Sequence, residues 1–235
     1  TSVVLNTNNV VNTINFANGA LSSTTDDLAI TLEGTTTASE IVLTYAAGAT
    51  NDLETVSLIS NTASNVLKNI DTNGADVATI EITGAQDLTI TDILDTEVTT
   101  VSAGSFTGDL SIKTAAVAVT TTLGSGSDTL VASTGNDVIS GGAGADTITL
   151  GTGVDSATGG AGIDTFIETS AGLTSADTIS GGDGVDILSV TGASTVVDAD
   201  FTSVTSVETL TQTTADVAQT ITLGSLADAA GLATV

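Results

Sequence analysis

A nine-residue period runs without a gap from Leu123 to Ile167, as LGSGSDTLV, ASTGNDVIS, GGAGADTIT, LGTGVDSAT and GGAGIDTFI. The sixth place is always aspartate: Asp128, Asp137, Asp146, Asp155 and Asp164. The fourth is always glycine: Gly126, Gly135, Gly144, Gly153 and Gly162. The eighth is apolar: Leu130, Ile139, Ile148, Ala157 and Phe166. A further full unit, GGDGVDILS, occupies 181–189 with Asp186 and Leu188, and the degenerate unit 172–180 keeps Asp177 and Ile179. One such unit is too short to bury its apolar residue alone. Stacked copies can, so a strict short period restricts the chain to a solenoid.

Each unit reads as a tight turn followed by a very short strand. The glycines admit backbone conformations closed to other residues and aim main-chain carbonyls at one spot. The sixth-place aspartate adds a carboxylate oxygen there. In the last three residues the side chains alternate, so the eighth-place residue points inward. Two units then form one coil of a flattened parallel β-solenoid, with a turn on each edge. Units two apart stack, which predicts that Asp128 shares an ion with Asp146, Asp137 with Asp155, and Asp146 with Asp164. The candidate ligands are the turn glycines Gly124, Gly126, Gly135, Gly142, Gly144, Gly151, Gly153, Gly160, Gly162, Gly182 and Gly184, with Asp128, Asp137, Asp146, Asp155, Asp164, Asp177 and Asp186. An all-oxygen site suits several Ca²⁺ ions, each taking about 6–8 oxygens. Magnesium demands a smaller octahedron, and zinc is excluded because the chain has neither His nor Cys.

The tandem resembles the RTX (repeats-in-toxin) family, whose pattern is G-G-x-G-x-D-x-U-x with U large and apolar. Gly141, Gly142, Gly144, Asp146 and Ile148 match every place, as do Gly159, Gly160, Gly162, Asp164 and Phe166, and Gly181, Gly182, Gly184, Asp186 and Leu188. The resemblance implies a parallel β-roll, extracellular calcium and export by a type I secretion system. Departures are local. Ala132 and Ser133 replace two glycines, which predicts a weakly binding turn. Ala157 is small for a core place and predicts a thin spot. Unit 172–180 lacks the fourth-place glycine and follows an insertion, Glu168 to Ala171, expected to bulge as a loop.

The formal net charge is −26, from 28 acidic residues against Lys68 and Lys113. No basic patch can be assembled to neutralise phosphates, so nucleic acid is not an expected partner. An acidic chain poor in aromatics can be disordered. Here 40% of residues are hydrophobic, many in alternating β-branched runs, so a core can form. Self-repulsion at this charge is relieved by cations, and the roll is expected to be loose without calcium. Zero cysteine in an exported chain fits folding by ion uptake instead of by disulfides. No apolar run approaches the ~18 residues of a membrane helix. With no starting Met and no leader, the sequence reads as a piece of a longer polypeptide.

Outside the tandem, residues 1–122 read as a Thr-rich, solenoid-like region and 190–235 as a short strand-rich continuation, flanking a roll at 123–189. Alternating segments at 28–32, 41–45, 55–59, 79–83, 87–91, 109–113 and 116–120 predict strands. Gly84, Gly104 and Gly108 punctuate turns, and the first 27 residues read as an edge strand plus loop. Helical periodicity is best at 61–69 and 225–232, both short. An echo links NDLETVSL at 51–58 with TSVETLTQ at 205–212. With the Pro-free, Thr-rich style, it is similar to calcium-dependent bacterial surface-layer proteins that carry RTX repeats. Without His, Cys or Arg, the usual nucleophile–base sets and phosphate clamps are missing, so an enzyme is not expected. The reading is a structural calcium-binding segment of a secreted cell-surface protein, self-associating into a lattice and contacting surface polysaccharide through regions outside this chain. A stalk module of a large RTX adhesin, or the export and folding domain of a secreted RTX enzyme, are the alternatives.

Overall fold

The computed structural model describes residues 2–6, 11–16, 26–35, 39–45, 53–72, 76–169, 171–192, 194–213 and 221–232. Its architecture is an all-β parallel solenoid. Two ten-stranded sheets face each other, and successive strands alternate between them. The first sheet runs from Ser2–Leu5 to Val204–Thr205, and the second from Val11–Phe16 to Thr209–Gln212. Among the described residues every pairing is parallel, and each strand except those at the ends of a sheet bonds to the strand one coil before and one coil after it.

The inward side chains form columns. In the first sheet Leu28, Val56, Ile80, Val101, Thr121, Ile139, Ala157, Ile179 and Val204 stand in register, one per coil, and all are buried. In the second, Leu130, Ile148, Phe166, Leu188 and Leu210 do the same. All five eighth-place residues of the uninterrupted tandem are buried, Phe166 and Ile148 completely. Burying an aliphatic or Phe side chain contributes about 1.5–3 kcal/mol, so the columns supply the cohesion while strands of two to eight residues supply the ladder bonds.

Coil length varies along the molecule. It falls from 28 residues between Leu28 and Val56 to 18 between Thr121 and Ile139. It then lengthens to 25 between Ile179 and Val204. The nine-residue motif therefore occupies the tightest part of one continuous solenoid.

Several local expectations are modified. The first segment contributes two strands, Ser2–Leu5 and Val11–Phe16, not one; residues 7–10 and 17–25 lie outside the described part. The helical periodicity at 61–69 gives way to a strand, Asn65–Asp71, because this segment pairs with a parallel strand on each side. The 116–120 segment is mostly turn, and the strand begins only at Thr120. The helix expected near 225 is present as Ser225–Ala229. Asp198 receives the main-chain N–H groups of Gly224 and Ala227 at 2.8 and 3.0 Å, which caps that helix. Those N–H groups, Ala227 first, hold the Asp198 carboxyl below its ordinary range.

Candidate metal centre

The turns at 123–128, 141–146, 159–164 and 181–186 lead from the first sheet to the second and stack along one edge. Those at 132–137, 150–155 and 168–177 lead back along the other. All seven repeat aspartates are at most 3% exposed. Carboxylates that deeply placed need hydrogen bonds or a cation.

One oxygen of each carboxylate is held by the coil before it. Asp128 N–H donates to Asp146 Oδ1 at 2.8 Å, Asp146 N–H to Asp164 Oδ1 at 2.9 Å, and Asp164 N–H to Asp186 Oδ1 at 2.8 Å. On the opposite edge Asp137 N–H donates to Asp155 Oδ1 and Asp155 N–H to Asp177 Oδ1, both at 2.9 Å. Aspartates 18 residues apart, or 22 across the insertion, are thus joined directly by a main-chain N–H. The same device continues beyond the tandem: Asp186 N–H donates to Glu208 Oε2 at 2.8 Å, and Thr72 N–H to Asp95 Oδ2 at 2.7 Å.

The second oxygen separates the aspartates into two groups. In Asp128, Oδ2 accepts the Gly124 N–H at 3.2 Å. In Asp177 it accepts the Thr174 N–H at 2.7 Å. In Asp146, Asp164 and Asp186, Oδ2 is buried and has no hydrogen-bond partner. A buried unpaired carboxylate oxygen is costly, and its recurrence at the same place in successive coils needs a physical reason.

The first-place glycines point to it. A side-chain carbon on Gly141 would lie 2.6 Å from Asp146 Oδ2 and 2.5 Å from the Gly159 carbonyl oxygen. One on Gly159 would meet Asp164 Oδ2, with the Gly181 carbonyl at 2.6 Å, and one on Gly181 would meet Asp186 Oδ2 and the Ser206 carbonyl. The missing Cβ leaves a small oxygen-lined cleft in each of three stacked turns. On the opposite edge the first places hold the side chains of Ala132 and Leu150. The glycines at the second and fourth places work differently. Gly142 (φ 102°), Gly160 (φ 117°) and Gly182 (φ 106°) take left-handed conformations and press against carbonyls of the preceding coil.

Burial raises the carboxyl pKa of Asp128, Asp137, Asp146, Asp155, Asp164 and Asp186. Asp146 and Asp155 are pushed to about 6, first by desolvation and then by neighbouring carboxylates. Asp128, Asp137, Asp164 and Asp186 are raised too, again mainly by burial. Low dielectric plus like charge is the environment a divalent cation relieves. Among the described residues no three acidic side chains converge on one point. An ion at these clefts would be held by single carboxylate oxygens and main-chain carbonyls, a donor set that fits Ca²⁺.

Glu168 is a member of this chemistry that motif reading passed over. Glu168 and Thr169 do not bulge out; they lengthen the strand Thr165–Thr169, in register with Val190 and Thr191. The Glu168 side chain is buried, and its Oε1 accepts the Thr169 N–H at 2.5 Å. Burial, with Asp155 and Asp177 adding, pushes its carboxyl to about 7. A carbon on Gly172 would meet Glu168 Oε1, with the Gly151 carbonyl at 2.8 Å. The signal available in the sequence was a lone acid at the point where the period breaks.

A parallel solenoid with a file of acid-and-carbonyl clefts along one edge is a β-roll. Residues 122–157 and 158–192 match the family model described as RTX calcium-binding nonapeptide repeat (4 copies). That stretch carries RTX repeats, and they make it a calcium-binding structural repeat module of the kind found in secreted proteins. No curated protein and no solved structure matches the chain. Among the described residues no helix is long and apolar enough to cross a membrane.

Proposed function

We propose that this chain is a structural, calcium-folded segment of a secreted bacterial cell-surface protein, and that it assembles with copies of itself into a surface-layer lattice. The observation that carries the calcium part is the row of buried, partnerless Oδ2 atoms of Asp146, Asp164 and Asp186, each facing a carbonyl across a glycine-lined cleft. In this reading Ca²⁺ supplies the missing partner. Each bound ion converts buried repulsion into bonding, so folding is completed only where calcium is plentiful, outside the cell. The residues of the chain do the rest: the glycines hold the turns open, and the Oδ1 ladder keeps every carboxylate aimed.

The lattice part is supported by charge and by surface. With a net charge of −26, acidic faces of neighbouring copies need cations between them to pack. Cell-surface polysaccharide, reached through regions outside this chain, is the proposed anchor. A chain without His, Cys or Arg suits a scaffold better than a catalyst.

Circular dichroism during a Ca²⁺ titration tests the folding step, with a coil-to-β transition expected. A β spectrum unchanged between excess chelator and millimolar calcium would sink it. Electron microscopy of the purified protein with and without Ca²⁺ tests assembly. Ordered sheets are expected only with calcium, and monodisperse particles under both conditions would remove the lattice.

A further inference from the structure

The recognised repeats end at residue 192, yet the Gly181 cleft is closed by a residue beyond them. We infer that Ser206 and Glu208 form a non-repeat cap that completes the last calcium site of the glycine-rich edge, with Asp186 as its carboxylate. This inference rests on the calcium reading above and extends it to residues outside the motif.

Register places Ser206 where the next first-place glycine would stand, since Ser180 pairs with Thr205. Its carbonyl oxygen faces the Gly181 cleft opposite Asp186 Oδ2, the arrangement that the Gly159 carbonyl makes with Asp146 Oδ2 at Gly141. Asp186 is completely buried, and that Oδ2 has no hydrogen-bond partner. The cleft thus has the same two donors as the repeat sites, one of them supplied from outside the repeat.

The backbone at Ser206 is unusual in a way that the site explains. Its φ of 52° is the only left-handed value at a non-glycine residue among the described residues. Such a conformation is uncommon without glycine, Asn or Asp, and its cost has to be offset by something nearby. In the turn above Ser180 five residues precede Asp186, whereas only Ser206 and Val207 precede Glu208. The shortened turn forces the left-handed kink that swings the Ser206 carbonyl over the cleft. Thr209 pairs with Ile187, so Glu208 holds the register place of the repeat aspartate. Its Oε2 accepts the Asp186 N–H at 2.8 Å, the bond that Asp186 Oδ1 and Asp164 Oδ1 accept one and two coils earlier. Val207 between them is fully buried and pins the turn to the core. Glu208 acts by positioning Asp186 through that N–H.

Native mass spectrometry of the full chain at saturating CaCl₂ counts the ions. Ser206→Val, whose β-branched side chain disfavours φ > 0, is expected to hold one ion fewer than the parent. Ser206→Gly, which keeps the conformation available, is expected to hold the parental number. Asp186→Asn should also lose one ion, and combining it with Ser206→Val should lose no second one. Should Ser206→Val lack a β spectrum in calcium, Glu208→Ala carries the test. Its weakest site is expected to lose affinity roughly 10–100-fold, as removing a positioning partner does. A parental ion count in folded Ser206→Val, two ions lost in the double variant, or parental affinity in Glu208→Ala would overturn the cap. A parent that binds no ion at all overturns the calcium reading itself.

Discussion

At the scale of single residues, the repeat aspartate has two separable duties. Oδ1 accepts a main-chain N–H from the coil before, and Oδ2 is either consumed by the protein or left facing a cleft. Asp128 and Asp146 differ only in the second duty, which gives opposite expectations for the same substitution. In Asp146→Asn the amide keeps an acceptor for the Asp128 N–H and replaces the partnerless oxygen with a donor facing carbonyls. Stability in chelator should rise by about 1 kcal/mol, the net worth of one hydrogen bond, while calcium affinity falls about tenfold or more with the lost ligand charge. In Asp128→Asn the new NH₂ group meets the Gly124 N–H, donor against donor. Stability should drop by about 1–3 kcal/mol with little effect on calcium affinity. Urea melts in chelator and a calcium titration of both variants check the pair; equal behaviour would refute the division of duties.

At the scale of turns and strands, the nonapeptide is legible because three independent requirements fall in one phase. The second and fourth places need glycine, for positive φ in the units that begin at 141, 150, 159 and 181 and for close approach to a carbonyl of the preceding coil at Gly124, Gly126 and Gly135; the sixth needs a short acid, and the eighth must fill a column. Gly160→Ala would put a carbon against the Gly142 carbonyl at φ 117°, so a loss of about 1–3 kcal/mol or more is expected from strain of this kind. Ile148→Ala empties a fully buried column place and should lose about 2–5 kcal/mol. Chemical denaturation in saturating calcium measures both, and a neutral Gly160→Ala would mean that the turn can rearrange. Elsewhere the same requirements are met at unequal spacing, which hides them. The columns run unbroken from Leu28 to Val204, but with coils of 28, 24 and 21 residues no period shows. The echo of Glu54-Thr55 in Glu208-Thr209 was visible as letters only. In three dimensions both glutamates accept the N–H of an acidic residue one coil earlier, Asp26 and Asp186; Asn51 and Asp52, which open the first copy, lie outside the described residues. Strand Asn65–Asp71 was obscured because Lys68 and Asn69 interrupt its alternation. Lys68 is exposed, 3.6 Å from Glu40 and 3.9 Å from Asp92, whereas Asn69 is half-buried with its Oδ1 enclosed.

At the scale of the whole molecule, a solenoid with 28 acids and two lysines has calcium and pH pulling on the same carboxylates in opposite directions. Asp146 and Asp155 titrate near 6 in the folded chain, above an ordinary value of 3.8, and Glu168 near 7, above 4.5. The folded state therefore binds protons more tightly than the unfolded state. Without calcium, the stabilisation that these protons supply is complete below about pH 4 and is lost as pH rises through 6 and 7. Net repulsion grows over the same range and adds to the loss. With calcium the order reverses, because the ion competes with protons for Oδ2 and binds better as they leave. Melting temperature should accordingly fall from pH 4.5 to pH 7.5 in chelator and rise over that interval in millimolar calcium, so that the two curves diverge steeply near neutrality. Calorimetry at matched ionic strength separates this from general screening. Parallel curves would mean that the buried acids are neither protonated nor metal-bound in the way their burial demands, whereas diverging curves would make the folded state responsive to the calcium content of its surroundings at the pH where cells keep that content low inside and high outside.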